Sequence, residues 1–174
     1  MKNVLLLTDF SENSWNAIVY ALHFFEKTSC NFYLFHVTKL NYLLDSDSPY
    51  IVTQDFIEDT YNKPSKQQLR KVLKRILKQF PANKKHKFYT LTDYNFFIEA
   101  IKKQIEAKKI EVIIMGTKGA TGLQKLIIGS NTADVLRKIH CLTLVIPENA
   151  KFTNLREIAF PTDFTLYYNL KTLD

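Results

Sequence analysis

The chain has 174 residues, 46% of them hydrophobic and 13% aromatic, which is enough for one core and argues against a disordered chain. Its net charge of +7 favours anionic partners in general without naming one. No apolar run reaches the roughly 18 residues of a membrane span, and the apolar stretch after Met1 is too short for a signal peptide.

Val4–Thr8 reads as a first strand, and Ser14–Lys27 as a helix with Trp15, Ile18, Val19, Leu22 and Phe25 on one stripe. Asn31–Val37 is rich in sheet-favouring residues and predicts a second strand. A long acidic connection follows, carrying Asp45, Asp47 and Pro49, with helical character from Thr53 onward. Next comes a basic amphipathic helix over Ser65–Phe80, stopped by Pro81. Lys87–Leu91 predicts a third strand and Tyr94–Lys108 a third main helix. The apolar run 110–115, a helix over 130–139 and a strand over Leu142–Ile146 complete the alternation.

Strands separated by helical crossovers imply a parallel sheet with helices on both faces, and ligands bind such sheets outside the carboxyl ends of the strands. Asp9, after the first strand, and the loop after Met115 are therefore expected to face one crevice. Cys30 and Cys141 each precede a strand-like run without metal or disulfide spacing, which predicts two small buried hydrophobes in a reducing cytoplasm. Residues 63–109 carry 14 Lys and Arg, but their helical spacing with Leu69, Val72, Leu73, Ile76 and Leu77 makes them the solvated face of a packed helix. A nucleic-acid role is disfavoured, because charge alone gives only non-specific attraction.

All four glycines lie between Gly116 and Gly129, after a buried strand and before a helix expected to open on a capping Ser130. Free N–H groups at a helix start suit a phosphate. Neither the Gly-x-x-x-x-Gly-Lys-Ser/Thr nor the Gly-x-Gly-x-x-Gly pattern is present, which disfavours a standard P-loop ATPase and a dinucleotide-binding domain. The spacing is instead Gly-x2-Gly-x9-Gly-Ser, at Gly116, Gly119, Gly129 and Ser130.

With this spacing and element order, residues 1–147 resemble the universal stress protein family, in its ATP-binding subclass. The resemblance implies a Rossmann-like fold with a five-stranded parallel sheet in order 3-2-1-4-5, and a homodimer through strand 142–146. It implies ATP as ligand, with Mg2+ held through the phosphates. Thr8 and Asp9 would meet the ribose or adenine end, Val37 would offer backbone groups to the adenine edge, and Met115 would belong to the same nucleotide site. Gly116 and Gly119 would let the loop approach, and Gly129, Ser130 and Asn131 would hold phosphate oxygens. Leu7-Thr8-Asp9-Phe10 departs from the family's frequent strand-1 patterns, and Asn131 stands where an apolar residue is common. Lys118 and Lys125 are candidate added charges.

Two readings of these residues stand side by side. Asp9 is able to cap the first helix, and the glycines to serve loop geometry without a ligand. His23, His36, His86 and His140 show no metal spacing, and no residue is placed to activate water, so the chain is not read as an enzyme, with slow hydrolysis left open. Glu157–Tyr168 repeats the pattern of Asn3–Ser14, with Thr-Asp-Phe in both. This divides the chain into a domain over 1–147, a linker over 148–155 and the start of a second, incomplete repeat over 156–174. The functional expectation is a nucleotide-binding stress or regulatory protein acting through dimer or partner contacts. The alternatives are a nucleotide-free interaction module or a weak nucleotide hydrolase.

Overall fold

The computed structural model describes residues 1–39, 53–117 and 128–159. Five strands, β1 (Lys2–Leu7), β2 (Cys30–Lys39), β3 (His86–Asn95), β4 (Val112–Gly116) and β5 (Leu142–Ile146), form one sheet in the order β3-β2-β1-β4-β5. Every pairing is parallel. The helices are α1 (Glu12–Phe24), α2 (Gln54–Ile57), α3 (Lys63–Gln79), α4 (Phe97–Lys108) and α5 (Ser130–Lys138), with a π-helical turn over Glu58–Asn62 between α2 and α3. No helix among the described residues is long and apolar enough to cross a membrane.

The unbroken apolar runs of β1 and β4 follow from burial on both faces. Val4, Leu6, Val112 and Ile114 face α1 and α3, where they meet Ile18, Ala21, Leu22, Leu69 and Ile76. Leu5, Leu7, Ile113 and Met115 face α4 and α5, against Ala100, Ile101 and Val135. Val4, Leu5 and Leu6 are wholly buried, and each side chain of this size contributes about 1.5–3 kcal/mol by leaving water.

Several predicted boundaries move. β3 runs on to Asn95, paired residue for residue with β2 as far as Asn95 opposite Lys39, so Tyr94 is in the sheet and α4 begins only at Phe97. Tyr94 stacks on Tyr61 of the π-helical turn, 4.5 Å between centroids, and this contact favours the longer strand. α1 starts at Glu12 because Ser11 caps it, its side chain accepting from the Ser14 N–H. The basic α3 is tied to α1 by Arg75, which makes two hydrogen bonds to Glu12 and lies 4.0 Å from the Trp15 ring centroid.

The segment after β5 folds back on α1 instead of leaving the domain. Asn16 donates to the carbonyls of Pro147 and Ala150, and Phe152 packs edge-on against Tyr20. The rest of the repeat-like stretch, from 160 onward, lies outside the described residues.

Gly116 ends β4 directly beneath α1. A Cβ built there would stand 2.8 Å from Asn13 Nδ2 and 2.9 Å from its Cγ. Gly116→Ala is expected to destabilise the fold by about 1–3 kcal/mol through overpacking, measured by chemical denaturation. Asn13→Ala relieves the clash, so the double variant should lose less than the sum of the singles. Strict additivity would show that the contact does not limit this position.

Candidate functional site

The strand order reverses between β1 and β4: the chain leaves β1 toward β2 and β3, then returns to β4 and β5. The loops after β1 and β4 therefore diverge, leaving a crevice at their carboxyl ends. A cavity of about 150 Å³ lies there. Thr8, Asp9, Val37, Met115, Gly116 and Asn131 all line it, so segments 29 to 123 residues distant from Thr8 in sequence meet at one point. Gly129 and Ser130 stand at the adjoining start of α5, outside the lining. Gly119, Gly122, Lys118 and Lys125 lie outside the described residues.

The loop after β1 is held by its own side chains. Thr8 Oγ1 is 3.0 Å from Ser14 Oγ, which donates to the Ser11 carbonyl at 2.8 Å. Thr8 Oγ1 also accepts from the Phe10 N–H, and Asp9 Oδ1 accepts from both the N–H and the hydroxyl of Ser11. The helix cap is thus Ser11, with Asp9 bracing it, a correction to the reading in which Asp9 itself caps α1. Phe10 takes a φ of 67°, a conformation L residues rarely adopt. Its ring lies 4.4 Å from that of His36.

On the other side the base of the glycine loop is closed. The Gly129 N–H donates to the Thr117 carbonyl at 2.8 Å, and Thr132 Oγ1 donates to the Gly116 carbonyl at 3.0 Å. Gly129, not Ser130, is the N-cap of α5, and no side chain caps this helix. The extended backbone of Gly129 brings its carbonyl to the Ala133 N–H at 2.9 Å, so Ser130 becomes the first helical residue. Neither described glycine has a positive φ; Gly116 is needed for close approach to Asn13 instead.

Lys39, Thr132, Ser14 and His36 line the cavity without having been singled out for it by sequence. For Lys39 the available signal was its place two residues beyond Val37, on the same sheet face. Thr132 carries none, since a threonine early in a helix is common. The His36 Nδ1 is 2.8 Å from the Thr8 carbonyl; a carbonyl only accepts, so Nδ1 carries the proton and Nε2 is the bare nitrogen of the neutral ring. Burial holds the His36 imidazole below the usual histidine range, opposed by its bond to Thr8 and the charge of Asp9.

Chemically, the site offers a hydroxyl and amide frame, one carboxylate, one ammonium and the open start of a helix. Among the described residues no group of His, Cys, Asp or Glu is placed to hold a metal ion.

The universal stress protein family model matches residues 1–147. A universal stress protein of Methanocaldococcus jannaschii is 24% identical over 150 residues, covering 86% of this chain and 84% of the relative. The solved structure of the hypothetical protein MJ0577 is similar, with a TM-score of 0.67 and 25% identity over 86% of this chain and 98% of that one. A universal stress protein solved in complex with cAMP shares the fold, with a TM-score of 0.56 and 16% identity over 84% of this chain and 97% of that one.

The position of His36 generates a pH test. Its folded-state pKa lies below the unfolded value, so the unfolded chain binds the proton more readily. The resulting stability is present above the unfolded value of about 6.5 and is lost as pH falls below it. The melting temperature is expected to fall between about pH 7.5 and about pH 5.5, and to fall less in His36→Asn, whose amide can still donate to Thr8. Equal slopes in the two proteins would remove His36 as the cause.

Proposed function

The chain belongs to the universal stress protein family, and within it we propose that the cleft between β1 and β4 binds an adenine nucleotide, with ATP as the ligand. The observation that carries this reading is convergence: Thr8, Asp9, Val37, Met115, Gly116 and Asn131 line one cavity at the point where strand order reverses. In this reading Asp9 meets the ribose, the Val37 backbone meets the adenine edge, and the first turn of α5 at Gly129, Ser130 and Asn131 receives phosphate oxygens. Gly119 would complete the loop's approach. Magnesium in this reading arrives bound to the phosphates.

The cavity of about 150 Å³ is smaller than the roughly 300–1,000 Å³ of typical small-molecule sites. It adjoins a groove of about 560 Å³ that shares Lys39, Phe97 and Asn131 with it, and the pair has room for a nucleotide. That a structure of the same fold holds cAMP supports an adenine ligand. Among the described residues no carboxylate pair lines the cavity, and we assign no catalytic step to the site.

The same proposal includes a homodimer through β5. This strand lies at the sheet edge, and its Leu142 is 71% exposed, the kind of edge that proteins cover or charge. In sedimentation the wild-type chain should run at twice its 20.3 kDa mass, and Leu142→Lys should run as a monomer. A monomeric wild type ends the dimer reading.

Nucleotide binding is tested by calorimetry and thermal melting with ATP, AMP, cAMP and adenosine. Ligand at about one hundred times its Kd stabilises by about 2.7 kcal/mol, a rise of about 5–10 °C for a domain of this size. No saturable heat and no rise with any adenine compound at millimolar concentration would reject the reading. A nucleotide-free interaction module would then take its place.

A further inference from the structure

The cavity and the neighbouring groove share a wall made of Lys39, Phe97 and Asn131. Lys39 is the last residue of β2, and its ammonium donates to Asn131 Oδ1 at 2.9 Å while lying 5.9 Å from the Phe97 ring centroid. Both partners are neutral. The other cations beside the groove are not in this position: Lys102 pairs with Glu99 at 3.0 Å, and Lys138 with Asp134 at 3.1 Å. Among the described residues no carboxylate is ion-paired with Lys39.

This difference decides which cation an arriving anion recruits. Taking Lys102 or Lys138 would break an existing ion pair and strand a carboxylate beside the new charge. Taking Lys39 replaces a neutral amide acceptor with a charged one, and charge-assisted hydrogen bonds are about twice as strong as neutral ones. The released Asn131 side chain keeps its own amide N–H groups to offer. The smaller cavity and the larger groove both border Lys39 and Asn131, so a chain of phosphates held there has the groove to extend into.

We propose that Lys39 reads the phosphate end of the ligand, exchanging Asn131 for phosphate oxygens and setting a preference for nucleoside diphosphates and triphosphates over adenosine. This rests on the nucleotide reading and deepens it by naming what the site selects. Nothing in it requires bond cleavage: Lys39 is a specificity residue, and its effect is on affinity.

The test is calorimetric titration of the full chain with ATP, ADP, AMP and adenosine, using wild type, Lys39→Met and Lys39→Arg. Lys39→Met should bind ATP about tenfold more weakly, while adenosine affinity stays within about twofold. Lys39→Arg should retain most of the ATP affinity, since the charge and donors survive. The salt dependence of ATP binding should also be shallower in Lys39→Met, a readout that a purely structural role for this side chain would not move. Because Lys39 is exposed, its variants are expected to melt with the wild type, and a melting scan checks this. Equal weakening toward ATP and adenosine overturns the proposal, as does unchanged ATP affinity. A wild type that binds ATP and adenosine equally also overturns it and leaves the nucleotide reading standing. A wild type that binds no adenine compound ends both.

Discussion

The central strand constrains everything else in this molecule. β1 is hydrogen-bonded to β2 along one edge and to β4 along the other, and its side chains enter two cores on opposite faces. A strand that starts the chain and sits in the middle of a parallel sheet forces one long return, because helical crossovers can build outward only one side at a time. The return separates the loops that follow β1 and β4. The crevice is thus a consequence of topology before any functional side chain is considered. Its floor, Leu7 and Met115, is simply where the two central strands run out.

What topology leaves open, a short polar chain closes. The Thr8, Ser14 and Ser11 hydroxyls and carbonyls satisfy one another beneath the rim, and Asp9 is drawn into the same set. Forcing Phe10 to a φ of 67° costs on the order of 1–2 kcal/mol. The hydrogen bond from its N–H to Thr8, the contact with His36 and the packing of its ring against the core under α1 offset that strain. The same turn could be made by glycine without strain. Here the ring is put to use, filling space beside the half-buried His36 imidazole, so the local penalty and the packing gain have to be considered together. On the opposite rim Thr132 anchors α5 to the end of β4.

The architecture was readable because its signals are redundant. β5 was placed at Leu142–Ile146 from a short apolar run between Cys141 and Pro147, and those are its bounds. Burial on both faces made β1 and β4 conspicuous. The errors fall where one local signal competed with a distant one. Tyr94 looks like a helix start until its partner Tyr61, 33 residues earlier, holds it in the strand. Ser130 looks like a cap, yet Gly129 fills that position with backbone alone once Thr117 fixes its N–H. Gly116 is small because Asn13 lies against it. That requirement comes from packing between α1 and β4 and leaves no trace in the local pattern. Lys39 was hidden for a different reason: among 24 Lys and Arg, only its place two residues beyond Val37 on the same sheet face sets it apart.

The charge of the chain is likewise better understood pair by pair than as a sum. The basic α3 and the acidic turn before it are consecutive, and three of the α3 cations pair with that turn or with α1. Lys63 pairs with Asp59, Lys66 with Glu58 at 2.5 Å, and Arg75 with Glu12. The carboxyl groups of Glu58 and Glu12 are held below the usual carboxylate range, chiefly by their hydrogen bonds to Lys66 and Arg75. Exposed pairs of this kind contribute little stability, but they change what a visiting anion encounters. The described acids of this connection are engaged on the α3 side, with no member lining the cavity, so they do not set a repulsive charge against a phosphate there. A cation whose partners are both neutral therefore matters more at the cleft than the larger excess of positive charge along α3.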